Sequence, residues 1–276
     1  MRETRGFDAY SPAEIARRVE NAGVAKARLP LLQTVMLGVL AGAYIGLGAL
    51  FCTLVLSDAT LGFASSRVLG GVCFSMGLLL VVVAGAELFT GNNLLAMAWA
   101  DGRLGSVELL RNWGIVCTAN FAGAAGIAGL VFLSHHWELN DGAIGQKYLQ
   151  IAASKAALDP WTAFFRGVLC NVLVCVAVWM AMSGRSVADR FVAIVLPVSA
   201  FVAAGFEHCV ANMYYFPLAL MIEASGASLP FGVQLPGVGS IAANMAAVIA
   251  GNLVGGSLLV ALVYWLIYLR GARGRS

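Results

Sequence analysis

The sequence predicts an all-α membrane protein of six transmembrane helices, built as an inverted repeat of three plus three, with two of the helices broken. Three observations carry this. Of the 276 residues 60% are hydrophobic and 11% charged, with a mean hydropathy of +0.85, far outside the range of soluble domains. Uncharged runs recur that exceed the roughly 20 apolar residues one membrane helix needs. Two of these runs are interrupted by one pattern, Gly85-Ala86-Glu87-Leu88-Phe89-Thr90-Gly91-Asn92 and Gly205-Phe206-Glu207-His208-Cys209-Val210-Ala211-Asn212. Each reads Gly-x-Glu followed five residues later by Asn. An ionisable group at membrane depth costs roughly 2.5–3.5 kcal/mol and usually marks a pathway or proton relay.

Residues 1–28 are polar and form the first unit, a cytoplasmic N-terminal amphipathic helix. Ser11-Pro12-Ala13-Glu14 is a capping box with proline at the first helical position, and Ile15, Val19 and Ala22 recur opposite Arg17, Arg18 and Lys26. Such a helix suits the membrane surface. The unit is not a signal peptide, because charges persist to Arg28 and the following apolar run is too long.

Residues 29–270 hold the six spans. The first lies between Arg28 and Asp58, with Gly38, Gly42 and Gly46 leaving one helix face nearly bare for close packing in lipid. The second follows Arg67, breaks over Glu87–Asn93 and ends at Ala100. The third runs from about Asn112 to Trp137, and residues 138–166 read as a long polar connection. The fourth covers Gly167–Gly184, and the fifth starts after Arg190 and breaks at Glu207–His208. Residues 223–239 form a loop, and the sixth span covers Ser240–Leu269. Residues 271–276 are a cytoplasmic tail.

Counting Lys and Arg by side gives thirteen on the terminal side and four opposite (Arg67, Lys147, Lys155, Arg166), which places both termini in the cytoplasm. An odd number of spans per copy forces the second copy to insert upside down. The third and sixth spans agree with this through Ala119-Asn120-Phe121-Ala122-Gly123 and Gly251-Asn252-Leu253-Val254-Gly255. Inverted repeats with paired broken helices place a solute pathway near the midplane. Six cysteines lie in apolar segments without metal-ligand spacing, so no metal or cofactor is expected. No second histidine or nucleophile accompanies Glu207 and His208 to make an enzyme.

These residues resemble the formate/nitrite transporter family, pentameric channels with an aquaporin-like protomer. The similarity runs from Ala22 to Arg270. It is carried by Gly70-Gly71-Val72-Cys73-Phe74-Ser75, Ala86-Glu87-Leu88-Phe89-Thr90, Leu169-Cys170-Asn171, Gly205-Phe206-Glu207-His208 with Ala211-Asn212-Met213, and Gly251-Asn252-Leu253-Val254-Gly255-Gly256. The resemblance implies one pore per protomer, constricted by Leu88 with Phe201 on the cytoplasmic side and by Phe74 opposite, with Leu78 a further candidate. His208 and Thr90 would face the pore between them, and Asn171 and Asn252 would hydrogen-bond around the permeant species. Lys155 would draw anions to the outer vestibule, and Lys26 belongs to a segment tied to gating. Glu87 and Glu207 are read as structural.

The implied function is transport of small monovalent weak-acid anions, with a proton exchanged at His208, since imidazole titrates near neutral pH. Gly91-Asn92-Asn93 looks closer to the nitrite branch, while Ser183-Gly184-Arg185-Ser186 looks closer to the formate branch. The balance leans to formate, with nitrite second. Hydrosulfide, or a pore for water or a neutral solute, is the alternative. The expected partners are the lipid bilayer, small anions and four further copies in a homopentamer in the bacterial inner membrane. No nucleic acid is expected.

Overall fold

The computed structural model describes residues 9–226 and 235–270. The C-terminal tail 271–276, the first eight residues and the middle of the 223–239 loop lie outside the described residues.

Helix α1 (Pro12–Ala27) starts at the expected capping box, where the Ser11 amide donates to Glu14 Oε2 at 2.8 Å and the Glu14 amide to Ser11 Oγ at 3.4 Å. Its apolar face (Ile15, Ala16, Val19, Gly23, Ala27) is buried. Helix α2 (Leu31–Leu56) follows Pro30. Helix α3 (Phe63–Leu80) runs on into a π-helical turn, Val81–Gly85, and the chain then becomes extended at Ala86. A 3-10 turn (Gly91–Leu95) and the short α4 (Ala96–Ala100) resume the direction. Helix α5 (Ser106–Leu133) comes next.

The 138–166 connection is mostly helical, unlike the expected polar loop. A 3-10 turn (His136–Glu138) leads to α6 (Ala143–Ala156), and α7 (Pro160–Ala181) already begins inside it. Ile144, Tyr148, Leu149, Ala152 and Ala156 recur every three or four residues and are buried. The charges between them concealed that face. Asp159 caps α7 by accepting from the Thr162 amide at 3.0 Å, with Pro160 at the first helical position. Both α5 and α7 start several residues before the expected spans, because Arg111 and Arg166 lie within helices. A long arginine keeps its head group near water while its stem covers apolar surface.

Helix α8 (Val187–Ala203) and helix α9 (Cys209–Ala224) are separated by the second break. Helix α10 (Val238–Leu253) continues through a π-helical stretch (Val254–Leu262) into α11 (Val263–Tyr268). No strand occurs among the described residues. Five helical stretches are long and apolar enough to cross a bilayer: Leu31–Leu56, Phe63–Gly85, Ser106–Leu133, Pro160–Ala181 and Val238–Tyr268.

The core gathers around α9, of which Val210, Tyr214 and Leu218 are fully enclosed. Close approach of α2 and α5 depends on Gly42, where a Cβ would collide with the Asn120 carbonyl. Outward-facing side chains such as Leu32, Leu133, Trp161 and Leu196 are apolar and exposed, the inverse of a soluble surface and suited to lipid.

Candidate functional site

The two interruptions leave their helices in one way. Gly85 (φ +84°) and Gly205 (φ +72°) adopt the left-handed region, which glycine enters without steric cost and which ends the preceding helix. The backbone groups freed there need partners away from water. In the first break the Glu87 amide donates to Leu37 O at 3.2 Å. Asn120 Nδ2 donates to Gly38 O (2.8 Å) and Glu87 O (2.9 Å), while its Oδ1 accepts from the Phe89 amide (2.8 Å). In the second break the Glu207 amide donates to Arg166 O at 3.2 Å. Asn252 Nδ2 donates to Gly167 O (2.8 Å) and Glu207 O (3.0 Å), and its Oδ1 accepts from the Cys209 amide (2.9 Å). The two sets of contacts correspond bond for bond.

The carboxylates are held the same way. Glu87 Oε1 pairs with Lys26 Nζ at 2.8 Å, and its Oε2 accepts from Asn92 Nδ2 at 2.7 Å. Asn92 Nδ2 also reaches Asn112 Oδ1 (3.0 Å), and Asn112 Nδ2 returns to Lys26 O (3.4 Å). Glu207 Oε1 pairs with Lys155 Nζ at 2.9 Å, and its Oε2 accepts from Asn212 Nδ2 at 2.8 Å. Asn212 Nδ2 reaches Asn244 Oδ1 (2.9 Å), and Asn244 Nδ2 returns to Lys155 O (2.8 Å). Each buried carboxylate is thus neutralised and hydrogen-bonded, the condition under which a buried charge is tolerated. The charges of Lys26 and Lys155 are balanced in the same contacts.

His208 caps α9. Its Nδ1 accepts from the Ala211 amide at 3.1 Å, and its Nε2 lies 3.0 Å from Thr90 Oγ1. An amide can only donate, so Nδ1 is the acceptor and the neutral ring carries its proton on Nε2. Asn171 Nδ2 donates to Asn252 O (2.6 Å), Asn93 Oδ1 (2.7 Å) and Thr90 O (3.3 Å). Its Oδ1 is buried without a partner among the described residues. Asn252 therefore acts on the backbone of the second break, while Asn171 ties Thr90 O of the first break to Asn93 and to the α10 backbone.

Two cavities that share no lining residue flank this centre. One, of about 300 Å³, is lined by Lys26, Leu78, Glu87, Leu88, Val178 and Met182 among others. The other, of about 240 Å³, is lined by Arg67, Phe74, Lys155, Arg166, Phe201 and His208 among others. Phe74 meets Phe201 edge-on with ring centroids 5.7 Å apart, and Phe201 stacks on His208 at 5.9 Å. Leu88 and Phe201, expected to share one constriction, line different cavities. Leu88 lies with Leu78 on the first cavity, and Phe201 lies with Phe74 on the second. The physical reason is that Phe201 sits on α8 before its break, on the Lys155 side, while Leu88 belongs to the other break.

Residues 13–266 match the family model described as formate/nitrite transporter. The chain belongs to the formate/nitrite transporter family. It is 39% identical over 280 residues to the formate channel FocA of Escherichia coli K12, covering 98% of each chain. Among solved structures it is similar to a pentameric formate channel with formate bound (36% identity, TM-score 0.78, covering 87% of this chain and 98% of that one). A second, an FNT family ion channel, is 27% identical with a TM-score of 0.80, covering 92% and 98%. This member of the family is accordingly a multi-pass membrane transport protein, not an enzyme.

Several residues of this transporter's site escape sequence reading. Asn112 and Asn244 close the two Lys–Glu–Asn circuits, and each stands eight residues before Asn120 or Asn252 in its helix. That shared spacing was the available signal. Asn92 and Asn93, read as substrate-branch markers, are engaged in holding Glu87 and Asn171.

Proposed function

We propose that this chain is a channel for small monovalent weak-acid anions, formate foremost and nitrite second, which exchanges a proton with the permeant at His208. The observation that carries this is the contact between His208 Nε2 and Thr90 Oγ1.

An apolar neck excludes a stripped anion, whose desolvation costs on the order of several kcal/mol. A weak acid avoids this by crossing as the neutral species. The neutral ring's lone pair is on Nδ1, where it accepts from the Ala211 amide, so a proton given to the permeant from Nε2 must be balanced by one taken at Nδ1. A ring that takes a second proton must first release that amide. Thr90 accepts from Nε2, leaving its own hydroxyl proton for the permeant, and the free Oδ1 of Asn171 is a nearby acceptor. Formate is favoured over nitrite by the relatives' names, and hydrosulfide is accommodated by the same chemistry.

The architecture proposed with this function is six crossings in an aquaporin-like inverted repeat. Its support is the bond-for-bond correspondence of the two breaks, and α8 with α9, each short of a full span, jointly forming one crossing. The proposed assembly is a pentamer with one pore per protomer, in the bacterial inner membrane with both termini cytoplasmic. It rests on the solved relative and the distribution of Lys and Arg.

Uptake of labelled formate into proteoliposomes, in competition with nitrite and hydrosulfide, tests the reading. Formate uptake displaced by nitrite is the expected result. Water permeation with no anion uptake would instead establish a neutral-solute pore.

A further inference from the structure

We propose that Arg67 and Arg166 form an anion-capture site at the mouth of the second cavity, where a small monoanion docks before it meets the Phe74–Phe201 neck. The inference rests on the reading of the chain as an anion channel and adds to it the residues that gather the permeant from one side.

The charge balance of the two cavities differs although their polar circuits correspond. Among the described residues lining the first cavity, Lys26 is the only cation and Glu87 the only acid, and the two are paired at 2.8 Å. The second cavity is lined by three cations, Arg67, Lys155 and Arg166, and one acid, Glu207. Glu207 is bound to Lys155 at 2.9 Å, and that lysine also stands 5.9 Å from the Tyr215 ring. Lys155 is therefore a pin of the second break, and its charge is compensated.

The two guanidiniums carry the excess. Among the described residues neither forms an ion pair; Arg67 stands only over the Phe63 ring, 5.5 Å from its centroid. Arg67, from α3, reaches across the second break, since a Cβ built on Gly205 would lie 3.5 Å from its Nη2. Arg166, from α7, is anchored at that same break, its carbonyl accepting from the Glu207 amide at 3.2 Å, and its side chain is exposed. Asp159, the N-cap of the same helix, is engaged with the Thr162 amide. Lys147 of α6 adds to the positive field. Its ammonium is pushed below the usual lysine range, first by burial and then by the nearby Arg67 charge. A guanidinium presents paired donors to two oxygens on one centre, which suits formate and nitrite, and two uncompensated cations at a low-dielectric mouth raise the local anion concentration.

Formate uptake into proteoliposomes holding the full-length protein tests this at low and high ionic strength. Removing such a field is worth at least about tenfold in capture at low salt, so R67Q/R166Q is expected to raise KM for formate about tenfold at low salt. Its kcat should stay at the wild-type level, and the salt dependence of KM should largely vanish, since exposed charges are screened. R166Q alone, at an exposed position with little demand on folding, is expected to raise KM about threefold. A wild-type KM and an intact salt dependence in R166Q and in the double variant would overturn this inference alone. Absence of formate, nitrite and hydrosulfide uptake in the wild-type protein would overturn the functional reading, and this inference with it.

Discussion

His208 Nε2 and Thr90 Oγ1 stand 3.0 Å apart, although they come from two helix breaks 118 positions distant in the chain. The contact joins the two halves of the molecule at the point where both backbones are irregular. Everything else in the site fixes that distance: the asparagines hold the carbonyls, the lysine–glutamate pairs hold the loops, and the aromatic rings close one side.

Thr90→Val keeps the shape of the side chain and removes the acceptor for Nε2. A single hydrogen bond contributes about 1 kcal/mol, so formate flux is expected to fall roughly five- to tenfold, while Thr90→Ser stays near wild type. Initial rates of uptake into proteoliposomes measure both. Equal loss in the two variants would show that the hydroxyl has no part.

Glu207→Gln leaves Lys155, which is largely withdrawn from water, without its counter-charge. Breaking a buried pair by removing one partner costs about 3 kcal/mol or more, read as a lowered thermal unfolding midpoint of the purified protein. The double variant Lys155→Met with Glu207→Gln is expected to recover much of the loss, because no charge is left unpaired. Glu87→Gln should cost less, since the Lys26 side chain is 31% exposed against 15% for Lys155, and water compensates the freed ammonium there.

Asn252→Ala deprives Gly167 O, Glu207 O and the Cys209 amide of partners at once. At about 1 kcal/mol per bond, a loss of roughly 3 kcal/mol is expected. Asn120→Ala should match it through Gly38 O, Glu87 O and the Phe89 amide. Chemical unfolding in detergent compares them, and a large inequality would argue against equivalent roles for the two breaks.

Docking of α1 carries a pH dependence of its own. Glu20 is buried on α1, its carboxyl raised above the usual range by burial and by Asp101, against the opposing pull of Arg103. A carboxyl raised in the folded state contributes stability that is present at pH values below its unfolded pKa and is lost as pH rises through the folded one. Amide exchange in α1, corrected for intrinsic rates, is therefore expected to slow as pH falls from 7 toward 4.5, and Glu20→Gln should flatten that profile.

Much of this was legible in the sequence because the costly residues announce themselves. Glu87 and Glu207 in apolar runs located both breaks, and Gly85 and Gly205, each two residues ahead of its glutamate, paired them as one pattern. Helix α6 was hidden because its charges mask an apolar face that is seen only once α9 covers it. The partition of Phe201 from Leu88 depends on which side of each break a ring falls, and spacing along one helix does not encode that. Asn92 and Asn93, read for substrate preference, also hold Glu87 and Asn171, because a buried polar circuit needs amides wherever it occurs.

If the permeant exchanges a proton at His208, flux must follow pH through that side chain. Formate flux into proteoliposomes from pH 4.5 to 8, with wild-type protein and with His208→Phe, tests it most directly. Wild-type flux is expected to change with pH, and the variant to lose this dependence while its flux falls at least about tenfold, toward the range that a positioned proton donor contributes. A variant that retains wild-type flux with an unchanged pH profile would contradict it.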